Sequence, residues 1–184
     1  MPISRSSLER FVKKLPCLLL ESDIKIEKIN FQGKSENNWD TPARQVMMDK
    51  FSSWLKQELG LTQLEIEDAL FVEGIFGKLS SEVRGDFFGS VCCPDMALQD
   101  KDGFKIAIEI DHGKSGYQLR NALAKASFNV TSGRFDRSLV LFFVEYKDKI
   151  KREAKFNSNH DVLRRFEKEF STKVLFVTNY QPMP

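Results

Sequence analysis

Apolar and polar positions alternate along Phe104-Lys-Ile-Ala-Ile-Glu-Ile-Asp111, the period-two pattern of a strand with one face in a core. Upstream, Met96-Ala-Leu-Gln and the turn Asp100-Lys-Asp-Gly103 complete a β-hairpin with this strand. Downstream the period changes. Leu119, Ala122, Leu123, Ala126 and Val130 recur at helical spacing over 115–130, and Gly133 stops the run. Leu139-Val-Leu-Phe-Phe-Val144 is apolar on both faces, as a central strand covered by helices must be. Val162, Leu163, Phe166 and Phe170 then mark a helix capped around Ser158 or Asn159, and Val174 to Val177 reads as another buried strand.

The first third of the chain is helical with one strand. Ser6-x-x-Glu9 has the form of a capping box opening a short helix through Leu15, and Ile24-Lys-Ile-Glu-Lys-Ile29 alternates as a strand. Asp40 or Thr41 caps a second helix with Pro42 at its first position. Val46, Met47, Phe51, Trp54, Leu55 and Leu59 form its apolar stripe, and Gly60 ends it. Thr62-x-x-Glu65 starts another short helix, whereas Gly74 to Gly89 carries no assignable pattern. The order α-β-β-α-β-α-β predicts an α/β protein with a mixed β-sheet flanked by α-helices. No repeat or linker interrupts it, so residues 1–184 read as one domain, with an N-terminal part to about residue 80 and a core over about 84–180.

Composition narrows the class. With 41% apolar and 29% charged residues the chain is neither disordered nor membrane-spanning, and no apolar run reaches the roughly 18 residues a bilayer needs. The N-terminal segment lacks a secretory apolar region, since Glu21 follows directly on an interrupted Leu15 to Leu20. Cys17, Cys92 and Cys93 form no C-x-x-C pair and make a poor disulfide framework, so they are expected to be reduced and packed in a cytoplasmic protein. No ligand spacing joins them to His112 and His160 as a zinc site. Charge is uneven: residues 1–111 hold 14 Lys/Arg against 19 Asp/Glu, and residues 112–184 hold 14 against 7. A basic second part fits a nucleic-acid partner, and fits equally well basic residues covering solvated helix faces.

Gly113-Lys114-Ser115, between a strand and a helix, resembles the end of a phosphate-binding loop. The G-x-x-x-x-G-K-[ST] motif requires its first glycine at 108, where Ile108 stands, and Glu109 and Asp111 put two carboxylates where an anion would lie. A nucleotide loop is therefore excluded. Glu109 and Asp111, two apart on one strand, share a face at roughly 6.5–7 Å between Cα atoms, which lets them converge on one hard cation. Asp95, entering the partner strand, is in reach as a third ligand. Magnesium suits such a set because it takes few carboxylates and keeps waters or phosphate oxygens. The same spacing fits a hairpin whose charged face meets water, although acids at the end of an apolar strand are expensive to leave unpaired.

Pro94-Asp95, 13 residues, then Glu109-Ile-Asp111 resembles the P-D…(D/E)-x-K signature of the restriction-endonuclease-like nucleases, with an acid replacing the lysine. That replacement resembles the BamHI branch of type II restriction enzymes, whose E-x-E-x-G appears here as Glu109-Ile-Asp-His-Gly113. The likeness covers roughly residues 94–180 and touches Pro42-Ala-Arg-Gln45, where Gln45 stands in place of the branch's additional acid.

The resemblance implies a restriction-endonuclease-like fold and Mg²⁺-dependent, sequence-specific cleavage of double-stranded DNA by a homodimer. Asp95 and Glu109 would hold the metal, and Asp111 would orient or deprotonate the attacking water. Lys114 or His112 are the alternatives for that last role, and Gln45 an accessory. Lys114, Ser115, Arg120 and Lys125, at the start and polar face of the helix over 115–130, suit DNA phosphates, and a solvated helix face is the competing reading. Part of the apolar side of that helix is expected to join the dimer interface. Two further readings stay open: a structure-specific or nicking nuclease of the same fold, and a DNA-binding protein without activity.

Overall fold

A computed structural model describes residues 3–27, 29–30, 37–77, 85–87, 90–113, 116–144, 160–178 and 181–183. The elements run α1 (Arg5–Glu21), β1 (Lys25–Glu27), β2 (Ile29–Asn30), β3 (Asn37–Asn38), α2 (Asp40–Leu59), α3 (Gln63–Ala69) and β4 (Leu70–Val72). They continue with β5 (Gly85–Phe87), β6 (Ser90–Cys92), β7 (Met96–Gln99), β8 (Lys105–Gly113), α4 (Gly116–Thr131), β9 (Arg137–Val144), α5 (His160–Phe170), β10 (Thr172–Val177) and β11 (Gln181–Met183). The main sheet has the order β10-β9-β8-β7-β4: β8, β9 and β10 are parallel, and β7 is antiparallel to both neighbours. This is an α/β fold with a mixed five-stranded sheet flanked by helices, as the periodicities predict.

Strand alternation sends the two faces to different helices. Ile106, Ile108 and Ile110 of β8, with Leu139, Leu141 and Phe143 of β9, bury against Leu8, Phe11, Leu15 and Leu19 of α1 and Met47, Phe51 and Leu55 of α2. On the other face Val140, Phe142 and Val144 meet Ala122, Leu123 and Ala126 of α4, with Leu163 and Phe166 of α5 alongside. A Lys14–Glu58 ion pair joins α1 to α2 at the surface. No helix among the described residues is long and apolar enough to cross a membrane.

The hairpin is built as its sequence requires. Asp100 accepts from the Asp102 and Phe104 backbone N–H groups at 2.8 Å each through Oδ1, and Gly103 (φ 88°) closes the turn in a conformation other residues rarely adopt. Gly77 (φ 72°) is equally constrained, because a Cβ there would stand 2.3 Å from the Leu70 carbonyl oxygen.

Several local expectations change. The first helix is capped by Ser4, whose Oγ accepts from Ser7 N, rather than by Ser6. It also runs past Leu15 to Glu21 with Pro16 inside it. An interior proline costs about 3 kcal/mol; here the helix continues because its next turn buries Leu19 in the same stripe as Leu8, Phe11 and Leu15. The second helix takes Trp39 as its N-cap, without a side-chain cap bond, so Asp40 is its first residue. The alternating segment at 24–29 is divided: β1 pairs with β11 and β2 with β3, both apart from the main sheet. The last strand is less buried than its composition suggests, with Val174 and Phe176 half-buried, because β10 lies at the sheet edge. Val162 is 52% exposed rather than packed. Cys17 is likewise exposed, not packed, and it and Cys93 are free thiols. Ser158 and Asn159, expected to cap α5, lie outside the described residues.

Candidate functional site

The carboxyl ends of β8 and β9 open at one end of the sheet, the place where open α/β sheets leave a crevice for ligands. Antiparallel pairing brings two more acids there. Val72 pairs with Met96 and Met96 with Ile108, so one residue further along Glu73, Asp95 and Glu109 form a row across β4, β7 and β8. The row is held by backbone: Glu73 N donates to the Asp95 carbonyl at 2.9 Å, and Ile110 N donates to Asp95 Oδ2 at 2.8 Å. Asp111 follows two residues after Glu109 on the same face and accepts from His112 N at 2.7 Å through Oδ1.

Glu109 is only 5% exposed, an unusual place for a carboxyl. Asn129 of α4, itself 4% exposed, meets it, with Nδ2 donating to Oε1 at 2.7 Å. Burial and then the nearby charge of Asp95 push Glu109 up to about 8, against the pull of the Asn129 bond and the Lys125 charge. Burial likewise raises Asp95, opposed by the Ile110 bond and by the charges of Arg44 and Lys125. Asp111 is raised by burial too, opposed by the His112 N–H and Lys125. Burial is thus the first cause for all three neighbouring carboxyls, and the positive charges of Lys125 and Arg44 offset it only in part.

Asn129→Ala removes the one amide that favours ionised Glu109. Destabilisation of about 1–3 kcal/mol is expected. Since Glu109 then moves further up, the deficit should widen between pH 6 and pH 9, as urea denaturation at the two pH values would show.

The site residues read from the sequence separate into groups. Asp95, Glu109 and Asp111 come together. His112 does not join them: it follows Asp111 on the strand, faces the α2 side, and stacks on Trp39 with ring centroids 4.1 Å apart. Gln45 is exposed on α2 and donates to Asp49 at 3.4 Å; the helix turns Arg44 toward the acids instead. Lys114 and Ser115 lie outside the described residues. Arg120 and Lys125, expected on one polar face, diverge. Arg120 is nine residues from Asn129, about 180° around an α-helix, and lines a groove with Tyr117, Val162 and Leu163. Lys125 is one turn from Asn129, on the side of the acids. The apolar side of α4, expected at a dimer interface, is packed within the chain on β9.

Four residues escaped the sequence reading. Arg44 donates through Nη1 to Glu73 Oε2 at 2.6 Å and to the Glu73 carbonyl at 3.4 Å. Asp40 begins the same helix, and its charge pushes Asp95 and Asp111 up. Glu73 and Asn129 complete the set. Only Asp40 had a local signal, as an acid in the first turn of a helix.

Among the described residues no three His, Cys, Asp or Glu side chains make a preformed metal cage. The donor chemistry nevertheless fits a hard divalent cation. Asp95 and Glu109 each have one oxygen positioned by a hydrogen bond, from Ile110 N and from Asn129 Nδ2. Neighbouring carboxylates whose ionisation burial opposes match magnesium, which takes few protein carboxylates and keeps the rest of its shell as water or phosphate.

No protein-family model and no curated protein matches this chain.

Proposed function

We propose that this protein is a Mg²⁺-dependent endonuclease that hydrolyses phosphodiester bonds of double-stranded DNA, with the site-specific type II reading taken first. The observation that carries the proposal is the row of acids Glu73, Asp95 and Glu109 at the carboxyl end of β8, with Glu109 buried and one oxygen of Asp95 and one of Glu109 positioned by hydrogen bonds. The spacing Pro94-Asp95…Glu109-Ile-Asp111, which resembles the restriction-endonuclease-like signature, supports it independently of the geometry.

Asp95 and Glu109 would hold the cation, which when bound supplies Lewis acidity toward a phosphate oxygen and lowers the pKa of a water. The protein's own contribution is placement. Ile110 N fixes Asp95, Asn129 fixes Glu109, and Arg44, locked on Glu73, supplies a nearby positive charge. Asp111, its Oδ1 held by His112 N, would orient the attacking water. His112, stacked on Trp39, serves the core rather than the proton transfer in this scheme. The homodimer that palindromic cutting requires is part of the proposal.

Purified protein incubated with phage and supercoiled plasmid DNA in Mg²⁺ should give discrete double-strand fragments, abolished by chelator. Nicked circles without linear product would favour the structure-specific reading. Intact DNA with Mg²⁺, Mn²⁺ and Co²⁺ alike would leave only binding, and the nuclease reading would fall.

A further inference from the structure

We infer that Lys125 is a catalytic residue of this site, its ammonium meeting the scissile phosphate beside Asp111 and so supplying from α4 the cation that the strand motif lacks. The inference rests on the nuclease reading and adds a role that the acids alone do not define.

The geometry follows from how α4 returns over the sheet. β8 and β9 are parallel neighbours joined through α4, so the helix runs back against β8, with its first turn over the strand's carboxyl end. One contact fixes its rotation and height: Asn129 Nδ2 on Glu109 Oε1 at 2.7 Å. Lys125 precedes Asn129 by four residues, about 40° around the helix and about 6 Å toward its N-terminus. Two residues of strand advance roughly 6.5–7 Å in the same direction. That step leads from Glu109 to Asp111, so Lys125 stands at the level of Asp111 as Asn129 stands at the level of Glu109.

Charge and exposure agree with this placement. Lys125 draws down all three carboxyls, Asp95, Glu109 and Asp111, whereas Arg44 does so for Asp95. Arg44 is paired with Glu73, while Lys125 is exposed on α4. A flexible four-carbon stem carrying a compact charge is suited to follow a phosphate whose negative charge grows in the transition state. The sequence places Lys125 on a polar helix face suited to DNA phosphates, without relating it to the acids. Glu109-Ile-Asp111 puts an acid where the common signature has its lysine, and the replacement cation comes from 14 residues further along, on another element.

The test uses the full chain with Lys125→Ala and Lys125→Arg, in two arms. In the DNA-free protein, Mn²⁺ binding followed by electron paramagnetic resonance at pH 8 should tighten about fivefold in Lys125→Ala, because one cation facing the acids is gone. Lys125→Arg should stay within about twofold of wild type. In single-turnover cleavage at saturating DNA with Mg²⁺, Lys125→Ala should slow about 100-fold and Lys125→Arg should recover to within about tenfold of wild type. Affinity for DNA, measured in Ca²⁺, should move less than about threefold.

An unchanged single-turnover rate in Lys125→Ala overturns the inference and leaves the nuclease reading standing. A lowered DNA affinity with an intact saturated rate also overturns it, assigning Lys125 to the duplex backbone. A wild-type chain that cleaves no DNA removes the reading and the inference together. Because Lys125 is exposed, its substitution leaves the core intact, and matched thermal melts would verify that.

Discussion

Glu109→Gln is expected to abolish Mg²⁺-dependent cleavage while making the metal-free protein more stable at neutral pH. Glutamine keeps an Oε1 acceptor for Asn129 and the volume of the side chain, so the fold is retained. It removes the anionic oxygen that a cation needs, and a loss of at least about 10³-fold in cleavage should follow. The stability gain comes from proton linkage. Glu109 binds its proton up to about pH 8 in the folded protein, against an ordinary value of 4.5. Between those values the native state holds a proton that the unfolded state has lost, so wild-type stability falls as pH rises from about 4.5 to about 8.

Glutamine does not titrate, and the variant escapes that fall. Its advantage should be about 3 kcal/mol at pH 7 and vanish below about pH 5. In a domain of this size that raises Tm by roughly 6–12 °C. Thermal melts in chelator from pH 5 to pH 9 measure it, and parallel curves for the two proteins would show that Glu109 is not the strained group. The same linkage predicts that cation binding at pH 7 expels a proton, so affinity should climb with pH until about 8.

Trp39→Ala should be the most damaging single change outside the acids. Trp39 is 2% exposed, stacks on His112, and meets Phe143 edge-on with centroids 5.3 Å apart. Truncating a buried tryptophan costs about 3–5 kcal/mol, or roughly 10 °C in Tm for such a chain. The damage should reach the site, because Trp39 caps the helix that presents Asp40 and Arg44. Trp39→Phe should recover most of the stability by keeping a ring between His112 and Phe143. Chemical denaturation of the three proteins decides it: a loss under about 1 kcal/mol in Trp39→Ala would mean that the ring does not hold that end of the core.

Asp95, Glu109 and Asp111 could be read from the chain because a hairpin is a local object: alternation and turn chemistry fix which side chains share a face. Asn129, Arg44 and Glu73 could not. Asn129 lies within an otherwise ordinary amphipathic helix, and nothing in its neighbours tells that its amide enters the core to meet an acid. Arg44 and Glu73 depend on how α2 crosses the sheet end and on β4 pairing with β7, both decided by long-range packing. Helix ends were misjudged where a local rule met a stronger tertiary one. Pro16 should stop a helix, yet burial of Leu19 carries α1 onward. The interruption between Gly74 and Gly89 also hid β5 and β6, which form a small hairpin outside the main sheet.

The row of acids also sets an order of assembly. Arg44 and Glu73 belong to segments that leave the ribosome well before Asn129 and Lys125, and the pairing of β4 with β7 and β7 with β8 gathers like charges before α4 can close over them. Strand pairing alone thus sets the acids side by side, and α4 on β8 and β9 adds the Asn129 amide that meets Glu109. On the proposed function, a chain whose α4 has not docked would hold the acids without the bond that fixes Glu109.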